Sequence, residues 1–378
     1  MIKLISRKKS VVTDKENLEP LYTYKDFPVF FGCVDTDPRE DLRADMCWAI
    51  DPDTGVIQLN KLIPLDVLYQ AQHVDGTGPT WKQYYGDFAD YIVDQQPVNV
   101  LEIGGGKGSL AENFINRTRE TTWTIVEPNP LYNGGSKRIK VIPSFFDENF
   151  NYSGELDTIV FSQVLEHAYD PQAFMGALAK HLLIGQKLVF AYPNLELWLK
   201  RKYTNAINFE HTMLLTDYFV DHLLYKHGFR IADKTFYKDH SVFYTAEKIA
   251  FSGDFPVLKN KYDEYKQIFL DFVNYHKAIV RELNHKMMDF KGDVYLFGAH
   301  IFAQYLLEFG LEERRISYLL DNSLLKQEKR LYGTSLIVKS PEELRGKGEV
   351  AVILKVGVYR DEILKQLLEI NPDIVVFE

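Results

Sequence analysis

Between residues 76 and 250, short apolar runs alternate with stretches of helical periodicity, and few architectures accept that alternation. The runs are "VNVLEI", "SLAENFINRT", "TWTIVE", "DTIVFS", "DPQAFMGALAKHLL" and "QKLVFAYP". Strand-like and helix-like segments in turn imply βαβ units, and hence an α/β fold with a largely parallel sheet covered by helices on both faces. With 378 residues, the chain is long enough for two or three domains.

Two other sections flank this one. Residues 1–75 carry Pro, Asp and Gly punctuation ("VDTDPRE", "DPDTG") between short candidate strands such as "GVIQLN", and predict a small, irregular N-terminal module. Residues 249–257, "IAFSGDFPV", break the alternation and read as a linker. From residue 258 a long segment with Tyr, Phe, Ile and Leu recurring every three or four positions predicts a packing helix. It leads into "DVYLFG", "HIFAQYLLEFG", "ISYLLDN", "EVAVILKV" and "VVFE", so residues 258–378 predict a second α/β domain.

Charge and composition narrow the partners. Lys plus Arg total 44 against 53 Asp plus Glu, a formal charge of −9 with no long basic tract, which argues against nucleic acid. "MIKLISRKKS" lacks a secretory apolar core, and no run approaches the ~20 apolar residues of a membrane helix. A cytoplasmic protein with no membrane partner is expected, and a homodimer is admissible. Only two cysteines, Cys33 and Cys47, occur, so reduced thiols are expected in place of a disulfide framework.

The glycines after "VNVLEI" discriminate between cofactors. A dinucleotide fingerprint wants G-x-G-x-x-G, yet counting from Gly104 the third position falls on Ser109. Glycines stand instead at Gly104, Gly105, Gly106 and Gly108, with Glu102 at the head of the motif. Such a turn lacks the glycine that packs helix on strand beneath a pyrophosphate, so it suits a ligand without a diphosphate. The next strand ends in Glu127, twenty-three positions beyond Gly104, where a carboxylate can accept hydrogen bonds from both hydroxyls of a ribose.

"VLEIGGGKG", "IVEPNP", "LDTIVFSQVLEHAYDPQAFM" and "QKLVFAYPN" together resemble the successive motifs of class I methyltransferases that use S-adenosylmethionine. The resemblance implies a doubly wound, Rossmann-like sheet with S-adenosylmethionine as cofactor across its strand ends. It assigns Glu102 and Gly104, Gly105, Gly106 and Gly108 to the backbone approach. Glu127 with Pro128 would take the ribose, Phe146 and Asp147 the adenine, and Ser162 and Gln163 the methionine end. His167, in "LEHAYDP", becomes a candidate for catalysis or for cofactor contact.

"NFEHTMLLTDYFVDHLLYKHGF", residues 208–229, further resembles the sugar C-methyltransferases, in which a Glu-His pair precedes an aromatic-rich helix. That family joins an N-terminal module to a central methyltransferase domain and a C-terminal α/β domain, which "YLFGAH", "LLDNS" and "LYGTSLIV" resemble. The implied acceptor is a small sugar-like molecule, nucleotide-linked or phosphorylated, and His211 is the implied general base with Glu210 beside it. Histidine suits the role because it titrates near neutrality. The family's N-terminal module binds zinc through four cysteines. With "MCWAIDPDTG" where a Cys-x-x-Cys belongs, no metal is expected here, and ordinary packing must hold the module.

Three further expectations follow. "LWLKRKY" offers Lys200, Arg201 and Lys202 either as a solvated charge run or as a phosphate clamp. Residues 69–85 are placed to fold over the cofactor, bringing His73 or Tyr84 to the methyl group. The alternative to an enzyme is a catalytically inactive methyltransferase fold serving as a binding or scaffold protein.

Overall fold

A computed structural model describes residues 2–69, 79–250, 253, 257–355 and 360–378. Its largest sheet has seven strands in the spatial order Phe229–Tyr237, Ser241–Lys248, Lys187–Pro193, Thr158–Ser162, Asn99–Ile103, Thr122–Val126, Ile139–Ile142. The last five of these run parallel, and in all but the edge strand Ile139–Ile142 their interior residues are buried because helices cover both faces. Ser241–Lys248 departs from the parallel expectation: it runs antiparallel to Lys187–Pro193 and closes a hairpin with Phe229–Tyr237.

This order fixes where a ligand can sit. From Asn99–Ile103 the chain winds outward through Thr122–Val126 to Ile139–Ile142, then crosses back to lay Thr158–Ser162 on the other flank of the first strand. The two loops leaving that pair of strands therefore diverge and leave a crevice at their carboxyl ends, the switch point of a doubly wound sheet.

The first residues of the chain build a four-stranded antiparallel sheet in the order Met213–Leu214, Ile57–Leu59, Arg43–Ile50, Glu19–Pro28. Its outer strand thus comes from the loop that carries Glu210 and His211. A section this short buries too little apolar surface to hold itself together. It shares one continuous cluster with the large sheet and the helix Tyr262–Asp289, running from Val11 and Trp48 through Phe209 to Phe272 and Tyr305. Cys33 and Cys47 are both free thiols.

After the long helix comes a five-stranded parallel sheet in the order Val338–Lys339, Ile316–Leu320, Val294–Phe297, Val350–Leu354, Ile374–Phe377. It is tied to the N-terminal section by Arg330–Leu331 pairing with Cys33–Val34, and by Arg330. That guanidinium donates to both carboxylate oxygens of Asp41 at 2.6 and 2.7 Å, in a pair whose side chains are 5% and 3% exposed. Among the described residues no helix is long and apolar enough to cross a membrane.

Candidate functional site

The crevice floor is the glycine turn. Gly104 has φ +73°, in the left-handed region, and a Cβ built there would lie 2.7 Å from Cγ2 of Val164, on the loop leaving Thr158–Ser162. Only glycine accepts both the angle and that approach. A Cβ on Gly105 would meet Ile125 at 2.6 Å and the Glu102 carboxylate at 3.0 Å. Glu102, 3% exposed, accepts a 2.6 Å hydrogen bond from the Trp123 indole and so props the turn from beneath. Gly108 is crowded from another side, since its Cβ would fall 2.5 Å from the ring of Tyr132.

Glu127 faces the turn from the end of the neighbouring strand. One of its oxygens accepts from Gly106 N–H at 3.2 Å, and the other from Asn129 N–H at 3.0 Å across Pro128, which has no N–H to offer. A carboxylate has about four acceptor positions, so two remain for a diol. Asn129 in turn donates its amide to the Tyr69 carbonyl at 3.1 Å.

Tyr69 heads the segment 69–85 expected over the cofactor, though nothing in the sequence marks its own place in the site. Its phenol lies within electrostatic reach of Glu210, Tyr169, Glu127 and Glu166, its ring is 6.5 Å from that of Phe145, and burial, then those neighbours, push its pKa upward. It stands between Glu127 and the Glu210–His211 loop. His73 falls outside the described residues.

Phe146 and Asp147 follow the third strand. Phe146 packs its ring 5.3–5.8 Å from those of Phe150, Phe174 and His181. The exposed Asp147 closes a turn by accepting from the N–H groups of Asn149 and Phe150. On the other flank, Ser162 and Gln163 belong to a polar network behind the crevice. Ser162 Oγ is 2.6 Å from the Tyr84 hydroxyl, while the Gln163 amide donates to Tyr84 and to Ser241. Tyr84 is fully buried, and burial raises its pKa to about 12. It holds Ser162 and Gln163 in place.

Past Gln163 the chain makes a single 3-10 turn, Leu165–His167, and here the structure brings together residues far apart in sequence. His167 and His211 have ring centroids 5.3 Å apart at 60°. The His167 Nδ1 is 3.1 Å from the Glu210 carbonyl, and the His211 Nδ1 is 3.1 Å from the Ala206 carbonyl. A carbonyl only accepts, so each Nδ1 carries a proton, and in neutral His211 the Nε2 carries the lone pair. His211 is fixed further by its own N–H donating to Asn208 Oδ1 at 2.7 Å. Burial, its largest influence, lowers the His211 pKa and keeps it neutral near pH 7.

Glu166 completes the group, and the sequence reading passed over it. Its carboxylate is 1% exposed, Oε1 lies 3.7 Å from His167 Nε2, and Oε2 has no hydrogen-bond partner. Burial pushes its pKa up to about 8. Its carbonyl accepts from Thr212 N–H at 3.0 Å, stitching the turn to the His211 loop. The only signal for it was its place between a strand end and a histidine.

The basic run is otherwise engaged. Lys200 pairs with Glu196 and Arg201 with Asp239 on the surface, so both have acidic partners without any phosphate.

A family profile described as a methyltransferase domain matches residues 80–249, the stretch that contains the seven-stranded sheet and every loop of the crevice. Residues 80–249 are thus similar to a methyltransferase domain. The cofactor of such a domain is S-adenosylmethionine, and the geometry fits it: a glycine floor faced by Glu127, a carboxylate with acceptor positions to spare for a diol.

Solved structures to which the chain is similar are distant. They include an O-methyltransferase family protein from Burkholderia thailandensis, 13% identical over 45% of this chain and 56% of that one, with a TM-score of 0.38. The plantazolicin methyltransferase BpumL in complex with SAH is 12% identical over 45% and 84%, with a TM-score of 0.37. Magnesium protoporphyrin IX methyltransferase from Synechocystis PCC 6803 with bound SAH is 15% identical over 47% and 90%, with a TM-score of 0.36. The match spans little more than half the length of the first of these. No curated protein matches the chain.

Proposed function

We propose that the chain is an S-adenosylmethionine-dependent methyltransferase acting on a small, sugar-like acceptor, nucleotide-linked or phosphorylated. The observation that carries this reading is the convergence, at one switch point, of a glycine floor with Glu127 on one side and the His167–His211 pair on the other. The cofactor supplies a methyl group on a positively charged sulfur. The chain's own residues supply the rest. Gly104, Gly105 and Gly106 leave room for the backbone to approach it, and Glu127 takes the ribose. Ser162 and Gln163, held by Tyr84, border the methionine end.

On the acceptor side the chain must position one nucleophilic atom in line with the sulfur–methyl bond and handle its proton. His211 has the required lone pair on Nε2, kept unprotonated near neutrality by burial, in a loop braced by Asn208 and Ala206. It accepts the proton of a hydroxyl, or the proton beside a ketone when the acceptor atom is carbon. Glu210 orients the site by presenting its carbonyl to His167, and the Tyr69 phenol bounds it opposite.

Purified protein mixed with radiolabelled S-adenosylmethionine and a panel of nucleotide sugars and phosphorylated sugars tests the proposal. Saturable binding of S-adenosylhomocysteine and label transfer to at least one acceptor are expected. His211→Ala should lose about 100-fold or more in turnover while keeping its affinity for S-adenosylhomocysteine. Absence of cofactor binding removes the function altogether, and turnover surviving in His211→Ala removes the assignment of the base.

A further inference from the structure

We infer that Glu166, His167 and His211 form a binding site for one divalent first-row transition-metal ion beside the methyl-transfer position. Three observations point there independently of the cofactor. Each residue offers one ligand atom, and the three atoms lie within 4.8 Å of one another. The His211 imidazole is oriented as metal ligands are, since its Nδ1–H is committed to the Ala206 carbonyl and Nε2 carries the lone pair. Finally, Glu166 Oε2 is buried with no hydrogen-bond partner, a costly arrangement for a carboxylate that a cation would relieve. The raised pKa of Glu166 is the same cost seen from the proton's side.

Two imidazoles and one carboxylate select zinc, iron(II) or cobalt(II) over magnesium or calcium, which prefer oxygen ligands alone. Ligand atoms about 2.1 Å from a tetrahedral ion lie roughly 3.4 Å apart. The Glu166–His167 edge at 3.7 Å is close to that, and no edge needs to shorten by more than about 1.4 Å. Three protein ligands leave a position open, as catalytic metal sites do, and the oxygen of an acceptor can fill it. This use of the site rests on the proposed methyl transfer; the metal binding does not. Proton and cation compete for the same lone pair, so His211 is the base in the metal-free protein and a ligand in the loaded one. The expectation of no metal counted cysteines in the N-terminal module; this site uses none.

The test uses untagged full-length protein stripped with EDTA and titrated with cobalt(II) alone, followed by the visible d–d spectrum and by calorimetry. One equivalent per chain with a spectrum of low coordination number is expected, and zinc should displace it. Glu166→Gln and His211→Gln should each weaken cobalt binding about 100-fold, whereas His227→Gln, away from the site, should leave it unchanged. S-adenosylhomocysteine binding by the same variants reports whether they fold, and loss of cobalt binding in His211→Gln suffices where Glu166→Gln does not fold. Protein that binds S-adenosylhomocysteine but no cobalt overturns the metal and leaves the methyltransferase standing. Cobalt bound undiminished by either variant also overturns it. Cobalt bound without any affinity for S-adenosylhomocysteine upholds the site and overturns the proposed function.

Discussion

Gly104→Ala presses directly on the crevice floor, and its cost can be worked from two contributions. The φ of +73° places an alanine in the left-handed region, at about 1–2 kcal/mol. The added methyl would stand 2.7 Å from Val164 Cγ2, an overpacking of about 1–3 kcal/mol. Together these take roughly 2–5 kcal/mol from a domain whose whole stability is of order 5–15 kcal/mol. The two contributions separate in a double-mutant cycle. Val164→Ala removes the colliding methyl and leaves the Val164 Cβ 4.0 Å from the new atom, an ordinary contact. On its own it costs about 1 kcal/mol for a half-buried valine. In the double variant the collision is gone and the backbone strain stays, so a favourable coupling of about 1–3 kcal/mol is expected. Urea denaturation of the four proteins gives the stabilities, and calorimetry gives affinities for S-adenosylhomocysteine, which should fall in Gly104→Ala and partly return in the double variant. Coupling below about 0.5 kcal/mol, or unchanged affinity in Gly104→Ala, refutes the reading of this turn as a crowded cofactor floor.

Glu127→Ala should weaken S-adenosylhomocysteine about 10- to 150-fold, the value of hydrogen bonds to a charged group, with little change in thermal midpoint; equal affinity by calorimetry would show that the ribose lies elsewhere. Asp41→Asn leaves the buried Arg330 without its counter-charge and should lower stability in urea by about 3–5 kcal/mol, whereas Asp53→Asn in its exposed pair with Lys15 should leave the urea midpoint unchanged. His276 is buried in the long helix against Phe272 and Phe309, and burial pushes its pKa down to about 4. A histidine depressed on folding penalises the native state as pH falls from about 6.5, its unfolded value, towards 4, and contributes no penalty above that range; the loss reaches about 2 kcal/mol at pH 5. His276→Phe should flatten that part of the stability–pH profile, and a profile parallel to that of the parent protein would contradict it.

The sheet was readable because its strands are apolar along consecutive residues, and the approach of Glu127 to the glycine turn because a strand end lies a fixed distance beyond that turn. The antiparallel hairpin was not, since Phe229–Tyr237 and Ser241–Lys248 alternate no differently from strands that a crossover would make parallel. Met213–Leu214 escaped for a related reason: two residues carry no periodicity, and their partner lies some 155 positions earlier at Ile57–Gln58. Glu166 escaped because burial, which gives it its chemistry, is a property of the folded chain. Gly108 reads in sequence like its neighbours, yet what presses on it is Tyr132, which no spacing rule connects to it.

Thr212 has an outcome of its own. Its N–H reaches the Glu166 carbonyl, while its carbonyl accepts from Leu59 N–H and from the Arg7 guanidinium, whose other arm holds the Tyr169 carbonyl. One residue therefore registers the loop of His211, the proposed base, against the N-terminal sheet. If His211 is that base, selectivity for the acceptor can drift through changes in the first sixty residues alone, and a graft of residues 80–249 onto another protein would leave part of the bracing of that loop behind.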